Sequence, residues 1–309
     1  MKRYQQTKHV LGSDALLTIV VSDKQNADAI FSALWEHIQR FEARFSRFLP
    51  ESELSHFNQV AGERQRVSKE FLELLVATKK MAALTDGLYN PFVLPALQRA
   101  GYKGSWPQPA VGDPHVNYEQ RGAADWTEIV IGEAWAQIPE QSALDFGGIG
   151  KGYLLDELAA WLRKKEVSNF WMSLGGDILC SGYDVDGSAW QIAIQSAIAD
   201  QTVANVTNDG KPLAVATSGV TKRKGVGASG AWHHIIDPRT GKPATTDILT
   251  ATVCNEEATK ADVFAKCLVI VGSEAAKQLA QSLEMRGAFI QVALPDGTTQ
   301  TKKIGNIWN

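Results

Sequence analysis

Three places in the sequence gather residues able to do chemistry. From Ala143 to Leu158 the chain reads ALDFGGIGKGYLLDEL, with Gly147, Gly148, Gly150 and Gly152 around Lys151. Glycines let a backbone approach a ligand closely. Free N–H groups at the start of the helix expected from Tyr153 favour an anion, and Lys151 adds a positive point. The plain alternative is a tight strand-to-helix turn with Lys151 in water. Two common phosphate loops are excluded. A Walker loop needs Ser or Thr after the lysine, where Gly152 stands, and glycine at the position of Asp145. A dinucleotide fingerprint starting at Gly150 ends on Leu155 instead of glycine. The second place is HHIIDP. His234 is suited to take a proton from a hydroxyl, or else bonds the Asp237–Pro238 turn. His233 falls on the opposite face of a strand and reads as structural. The third is Asp262 and Lys266, one turn apart on a helix expected over Ala258–Val271. On a solvated face such a pair contributes only about 0.3–0.5 kcal/mol. Here Val263, Phe264, Cys267, Leu268, Val269 and Ile270 make the helix apolar nearly all round, so the lysine needs a partner.

These residues must be held by surrounding elements. Asp14–Ser22 reads as a buried strand. Ala27, Ile30, Phe31, Leu34, Ile38, Phe41 and Phe45 form one face of a long amphipathic helix. Ser68 caps a second helix reaching about Leu84, and Asp86–Gly87 ends it. Residues 101–125 are rich in Gly, Pro and polar groups and read as a surface loop. TEIVIG and AWAQIP are short strand candidates, and YLLDELAAWLRKK is a helix with Leu154, Leu155, Leu158 and Leu162 on one face. Strands follow in NFWMSLGGDILCSG, AWQIAIQS, LAVATSG, HHIID and ILTATVC, then the helix over Ala258–Val271, a further helix from Glu274, and a hairpin around Pro295–Gly297. Helices and strands intersperse without a βαβ rhythm. This predicts an α+β fold in one compact unit spanning 1–309.

The 309 residues are 44% hydrophobic and 21% charged, with net charge −3, which suits a soluble globular protein and no nucleic-acid or membrane-coating role. Lys222, Arg223 and Lys224 read as a solvated basic loop. The start, MKRYQQTKHV, has no apolar run after its basic residues, so no signal peptide, lipobox or transmembrane span is expected. Cys180, Cys254 and Cys267 are odd in number and lack metal spacing, as for buried thiols in the cytoplasm.

Seven segments together resemble the FAD:protein FMN transferase family, the ApbE-type flavin transferases, over about residues 10 to 290. SRFLPESELSHFN (46–58) resembles Tyr-x-Pro-x-Ser-Glu-Leu-Ser, and GLYNPFVLPAL (87–97) resembles Gly-Ala-Phe-Asp-Pro-Thr-Val-x-Pro-Leu. LDFGGIGKGYLLD (144–156) resembles Asp-Leu-Gly-Gly-Ile-Ala-Lys-Gly-Tyr-x-x-Asp. LGGDI (174–178), ATSG (216–219) and HHIIDPRTGKP (233–243) follow. KADVFAKCLVIVG (260–272) resembles Ala-Asp-Ala-Leu-Ser-Thr-Ala-Leu-x-x-Leu-Gly.

The resemblance implies an ApbE-like, T-fold-related architecture: a mixed or antiparallel sheet core flanked by helices, with an FAD cleft. It implies an enzyme with Mg²⁺ on the FAD pyrophosphate. A hydroxyl of an acceptor flavoprotein attacks the FMN phosphorus and AMP leaves. The acceptor motif is Asp-x-x-Ser/Thr-Gly-Ala-Ser/Thr; the nearest internal match, VGASGAW (226–232), has Val for the Asp and Trp for the modified residue. Hydrolysis of FAD to FMN and AMP, or FAD binding without catalysis, are the alternatives. By position, Asp145 and Lys151 contact FAD, and Leu88, Tyr89 and Asn90 line its adenine–ribose part. Leu11 and Phe48 stand where the family has Met and Tyr near the flavin, and Ile236 where a backbone reads the ligand. Thr217 and Ser218 would donate to a phosphate. Gly148 and Asp262 match metal ligands. The main departure is Lys266, in place of a family threonine. It reaches out to water while Asp262 holds Mg²⁺, or its ammonium takes the metal's place. Val220 also stands where the family has Asp.

Overall fold

The polar start, MKRYQQTKHV, is a strand. The structure is a computed structural model describing residues 1–102, 104, 123–227 and 230–308. Strand β1 (Lys2–Val10) pairs antiparallel with β2 (Ser13–Val21) through the two-residue turn Leu11–Gly12. Both turn residues have positive φ, 54° and 65°, as a right-twisted two-residue hairpin requires. Leucine is strained there, by about 1–2 kcal/mol. No apolar alternation announces β1 because it is an edge strand, mostly exposed, and its lysines and arginine guard that edge.

Eight strands form the main sheet: β1, β2, β3 (Phe170–Leu174), β4 (Asp177–Ser181), β5 (Leu213–Gly219), β6 (Ile248–Asn255), β7 (Gly287–Ala293) and β8 (Thr299–Ile304). They stand side by side in chain order, every neighbour antiparallel. Alternation sorts their side chains. Leu17, Ile19, Ala214, Ala216, Ala251 and Val253 face the larger core, under the helices. Val20, Cys180, Val215 and Cys254 face a smaller one, covered by the hairpin Gln191–Gln195/Thr202–Thr207 with Trp190.

Helix α1 (Lys24–Phe45) buries the seven apolar residues expected of it, and Trp35 as well. Short α2 (Glu53–Gln59), capped by Ser52, was not foreshadowed by periodicity; seven residues are too few to show one. Helix α3 (Lys69–Leu84) is capped by Ser68, whose hydroxyl accepts from Phe71 N–H at 3.2 Å. Helix α4 is Leu94–Ala100. The expected strand TEIVIG shrinks to Val130–Ile131, because Asp125 caps a 3₁₀ turn over Trp126–Glu128. Helix α5 starts at Gly150, three residues before Tyr153. Helix α6 (Ala258–Ser282) is interrupted at Gly272, φ 78°, where the two expected helices join. HHIID is not one strand: Gly230–His233 and Ile236–Asp237 flank a break, where His234 N–H donates to Arg223 O (3.1 Å) and Ile235 O accepts from Ala244 (2.9 Å). Most of the expected 101–125 loop lies outside the described residues.

Candidate active site

A cavity of about 520 Å³ opens where the β1–β2 turn, the chain after α1, the start of α5 and the middle of α6 meet. Its floor is the glycine segment. Asp145 Oδ1 accepts from Gly147 N–H (2.7 Å) and shapes the turn, while its other oxygen lies 3.5 Å from Arg47 Nε. Asp145 thus shapes the turn and also lines the cavity. A side chain on Gly148 would come within 3.0 Å of the Tyr89 ring and 3.6 Å of the Lys266 stem. Gly150, Lys151 and Gly152 form the first turn of α5; Gly150 N–H donates to Phe146 O (2.7 Å) and Gly152 N–H to Asp262 Oδ2 (3.2 Å), so both of these N–H groups are already taken.

Leu11, Phe48, Leu88, Tyr89, Asn90, Asp145, Gly148, Lys151, His234, Ile236 and Lys266 all line the cavity. Tyr89 is buried. Burial holds its phenol well above the usual range, and among the described residues Oη has no hydrogen-bond partner. Asn90 accepts from Phe92 N–H (2.9 Å) and donates from Nδ2 to Ala124 O (3.0 Å). A carboxylate could not make the second bond, which accounts for the amide where the family has Asp.

Thr217 and Ser218 do not reach the cavity. The Thr217 hydroxyl bonds Thr252 (2.8 Å) and its N–H donates to Asp177 (3.3 Å), while Ser218 is buried in β5. Asp262 is also behind the wall, 1% exposed. Its Oδ1 accepts from Lys266 Nζ and its Oδ2 from Gly152 N–H at 3.2 Å. Burial would raise its pKa, but the attraction of Lys266 and Lys151 holds it below the usual carboxylate range. Lys266 does not reach out to water: its ammonium also donates to Asp262 O (3.1 Å). Lys151 pairs with the buried Asp177. Burial pulls Lys151 down to about 8, against the attraction of Asp262 and with repulsion from Lys266 and Arg223, so it remains charged at neutral pH.

His234 Nδ1 lies 3.2 Å from Arg223 O. A carbonyl only accepts, so Nδ1 carries the proton and Nε2 keeps a lone pair. Burial, then Arg223, depress His234 to about 3, a neutral imidazole at working pH. His233 is structural as expected, its Nε2 3.0 Å from Ala244 O.

A divalent cation does not fit these residues as arranged. Among the described residues no three His, Cys, Asp or Glu converge. Both oxygens of Asp262 are taken, and the Lys266 stem fills the space toward Gly148. Two unit charges 4 Å apart interact by about 4 kcal/mol at an effective permittivity of 20, so a divalent ion beside the ammonium would be repelled by about 8 kcal/mol.

The sequence profile of the ApbE family matches residues 11–290. The chain belongs to the ApbE family. Among its relatives, the FAD:protein FMN transferase of Vibrio cholerae serotype O1 is 27% identical over 248 residues, 79% of this chain and 74% of that protein. The FAD:protein FMN transferase of Treponema pallidum is 27% identical over 316 residues, 96% of this chain and 86% of that protein. The fold matches the apo flavinyl transferase ApbE of Pseudomonas stutzeri with a TM-score of 0.82 at 22% identity, covering 98% of this chain and 94% of that one. It matches the ApbE protein of Thermotoga maritima with 0.81 at 24%, covering 97% and 96%.

Within this ApbE-family site, sequence reasoning missed four residues. Arg47 lines the cavity with its guanidinium 4.2 Å from the Phe48 ring centre and 4.8 Å from that of Tyr102. Tyr102, just inside the expected loop, packs edge-on to both Phe48 and His234. Arg223 lines the cavity although its basic run reads as solvated; nothing in that run distinguishes it from Lys222 and Lys224, which stay exposed. Asp177, in LGGDI, holds Lys151 and was legible only as part of a motif.

Proposed function

We propose that this chain transfers FMN from FAD to a serine or threonine hydroxyl of an acceptor flavoprotein and releases AMP. The observation that carries this is one cavity, built from the segments that mark the family, that is lined by both ring-sized apolar side chains and cations. Phe48, Tyr102 and Leu11 offer ring-sized apolar surface for the flavin. Lys151, Lys266 and Arg223 offer positive charge for the pyrophosphate. Leu88 and Asn90, also in the lining, would meet the adenine–ribose part.

In the reaction the acceptor hydroxyl oxygen bonds to the FMN phosphorus, and the bond from that phosphorus to the bridging oxygen breaks. The bridging oxygen leaves with AMP. The hydroxyl proton passes to Nε2 of His234. In the free cleft this nitrogen is a weak base, first because burial disfavours the imidazolium and then because Arg223 and Lys266 repel its positive charge. The pyrophosphate's negative charge offsets the repulsion of those two cations, so His234 is a stronger base with substrate in place than in the free cleft. Lys151 and Lys266 neutralise charge that develops on the phosphoryl oxygens. Mg²⁺ takes no step in this scheme, because its expected carboxylate is bonded to Lys266.

The acceptor is expected to carry the motif Asp-x-x-Ser/Thr-Gly-Ala-Ser/Thr. No described helix is long and apolar enough to cross a membrane, and three free buried cysteines suit a cytoplasmic enzyme. The test is incubation with FAD and an acceptor protein bearing the motif, with nucleotides separated by chromatography. Equal amounts of AMP and protein-bound flavin are expected. AMP matched by free FMN would instead establish hydrolysis.

A further inference from the structure

We infer that Lys266 is a built-in counter-cation for the pyrophosphate, and that it makes this site independent of divalent metal. The inference rests on FAD as the ligand. Lys266 lies on α6 one turn after Asp262, and its side chain is 17% exposed at the cavity wall, against 2% for Asp262 behind it. An ammonium has three donors. Two go to Asp262, to Oδ1 and to the backbone carbonyl, and among the described residues the third has no protein acceptor. The lysine stem passes Gly148, so Gly148, Lys266 and Asp262 are in line from the cavity floor inward.

Charge order is what matters in this line. Asp262 is buried and its partner faces the cavity. The same order recurs at Lys151, 23% exposed, and Asp177, 5%. Each carboxylate offsets part of the cost of burying its ammonium, and in each pair the ammonium is the more exposed partner and lines the cavity. A dissociable cation would have to break the Lys266–Asp262 pair to gain a carboxylate, and would then leave that ammonium buried without a partner. The resident ammonium supplies positive charge at this place on every molecule, with no dependence on cation concentration. A tethered charge also costs no entropy of capture when FAD arrives.

Titration of FAD into the full chain, followed by flavin fluorescence, tests this with EDTA present and then with excess Mg²⁺. For the native chain the Kd is expected to change less than twofold between the two conditions. In parallel, Mn²⁺ should give no bound-metal paramagnetic resonance signal with FAD present. Lys266→Thr, which frees Asp262, is expected to weaken FAD binding at least tenfold in EDTA and to recover with Mg²⁺. Lys266→Met should weaken binding without full recovery. A tenfold loss of native affinity in EDTA, or Mn²⁺ bound by the native chain, overturns the inference and leaves the FAD reading intact. Native-like FAD affinity of Lys266→Met in EDTA overturns it too. Absence of FAD binding in every condition overturns both. The native-chain measurements stand even if a variant fails to fold.

Discussion

His234 and Lys151 show how position resets a side chain's chemistry. The sequence marks His234 as a proton carrier near neutrality, yet the fold buries it beside Arg223 and depresses it to about 3. Its folded pKa lies below the unfolded value of about 6.5. The unfolded chain therefore binds the extra proton first on acidification. Stability is full above about pH 6.5 and is lost as pH falls toward 3. Urea unfolding at pH 7 and pH 5 should show that loss, and His234→Asn should flatten it. The same variant should lower kcat by about 10²–10⁴-fold and shift FAD affinity only a few-fold. Lys151, pulled down to about 8, gives a stability profile of the same sign at higher pH, but the opposite demand for binding. FAD binding needs the ammonium, so affinity should fall as pH rises through 8. Stability should rise over that range, because a neutral lysine is cheaper to bury. A Kd measured from pH 7 to 9.5 that stays flat would show that Lys151 does not meet the pyrophosphate. Residue types were legible for most of this site, since Asp145, Lys151, His234 and Lys266 announce themselves. The environments were not, because Arg223, Asp177 and Tyr102 come from segments far along the chain or inside an irregular stretch.

The site depends most on how α5 meets α6. A methyl group on Gly152 would lie 2.8 Å from the Ala258 carbonyl carbon and 2.9 Å from Asp262 Cβ, so glycine is required for this approach. Gly152→Ala should cost about 1–3 kcal/mol through overpacking, read as a lower denaturation midpoint, and should weaken FAD binding by displacing Asp262. Asp156, one turn further along α5, caps α6 from outside. Its oxygens accept from Ala258 N–H (2.8 Å), Thr259 N–H (2.8 Å) and the Thr259 hydroxyl (2.6 Å). The residue at the helix's own cap position, Glu257, makes no such bond. Asp156→Ala should destabilise by about 1–2 kcal/mol, and a thermal midpoint unchanged from native would refute the capping role. Periodicity and caps revealed α1, α3 and both parts of α6 to within a residue or two at most ends. They could not reveal a cap donated by another helix. Nor could they show a strand as polar as β1, whose residues face water on an edge.

For the molecule as a whole, the irregular alternation of helices and strands was enough to separate an α+β fold from a parallel nucleotide-binding sheet. The order of the sheet was not legible. Eight antiparallel strands stand in chain order only because long excursions leave and return to neighbouring positions. Those excursions carry the chemistry: one between β2 and β3 brings Phe48, Tyr89 and Lys151, one between β5 and β6 brings Arg223 and His234, and α6 brings Lys266. All converge on one cavity, which Lys151, Arg223 and Lys266 line. The central claim is that this cavity moves FMN onto another protein's hydroxyl. Its most direct test is the intact mass of an acceptor bearing the Asp-x-x-Ser/Thr-Gly-Ala-Ser/Thr motif after incubation with FAD and the full chain. The account expects a gain of one FMN on the acceptor, absent when the final Ser/Thr of the motif is replaced by alanine. An acceptor of unchanged mass while FAD is bound, or consumed to free FMN and AMP, would contradict it.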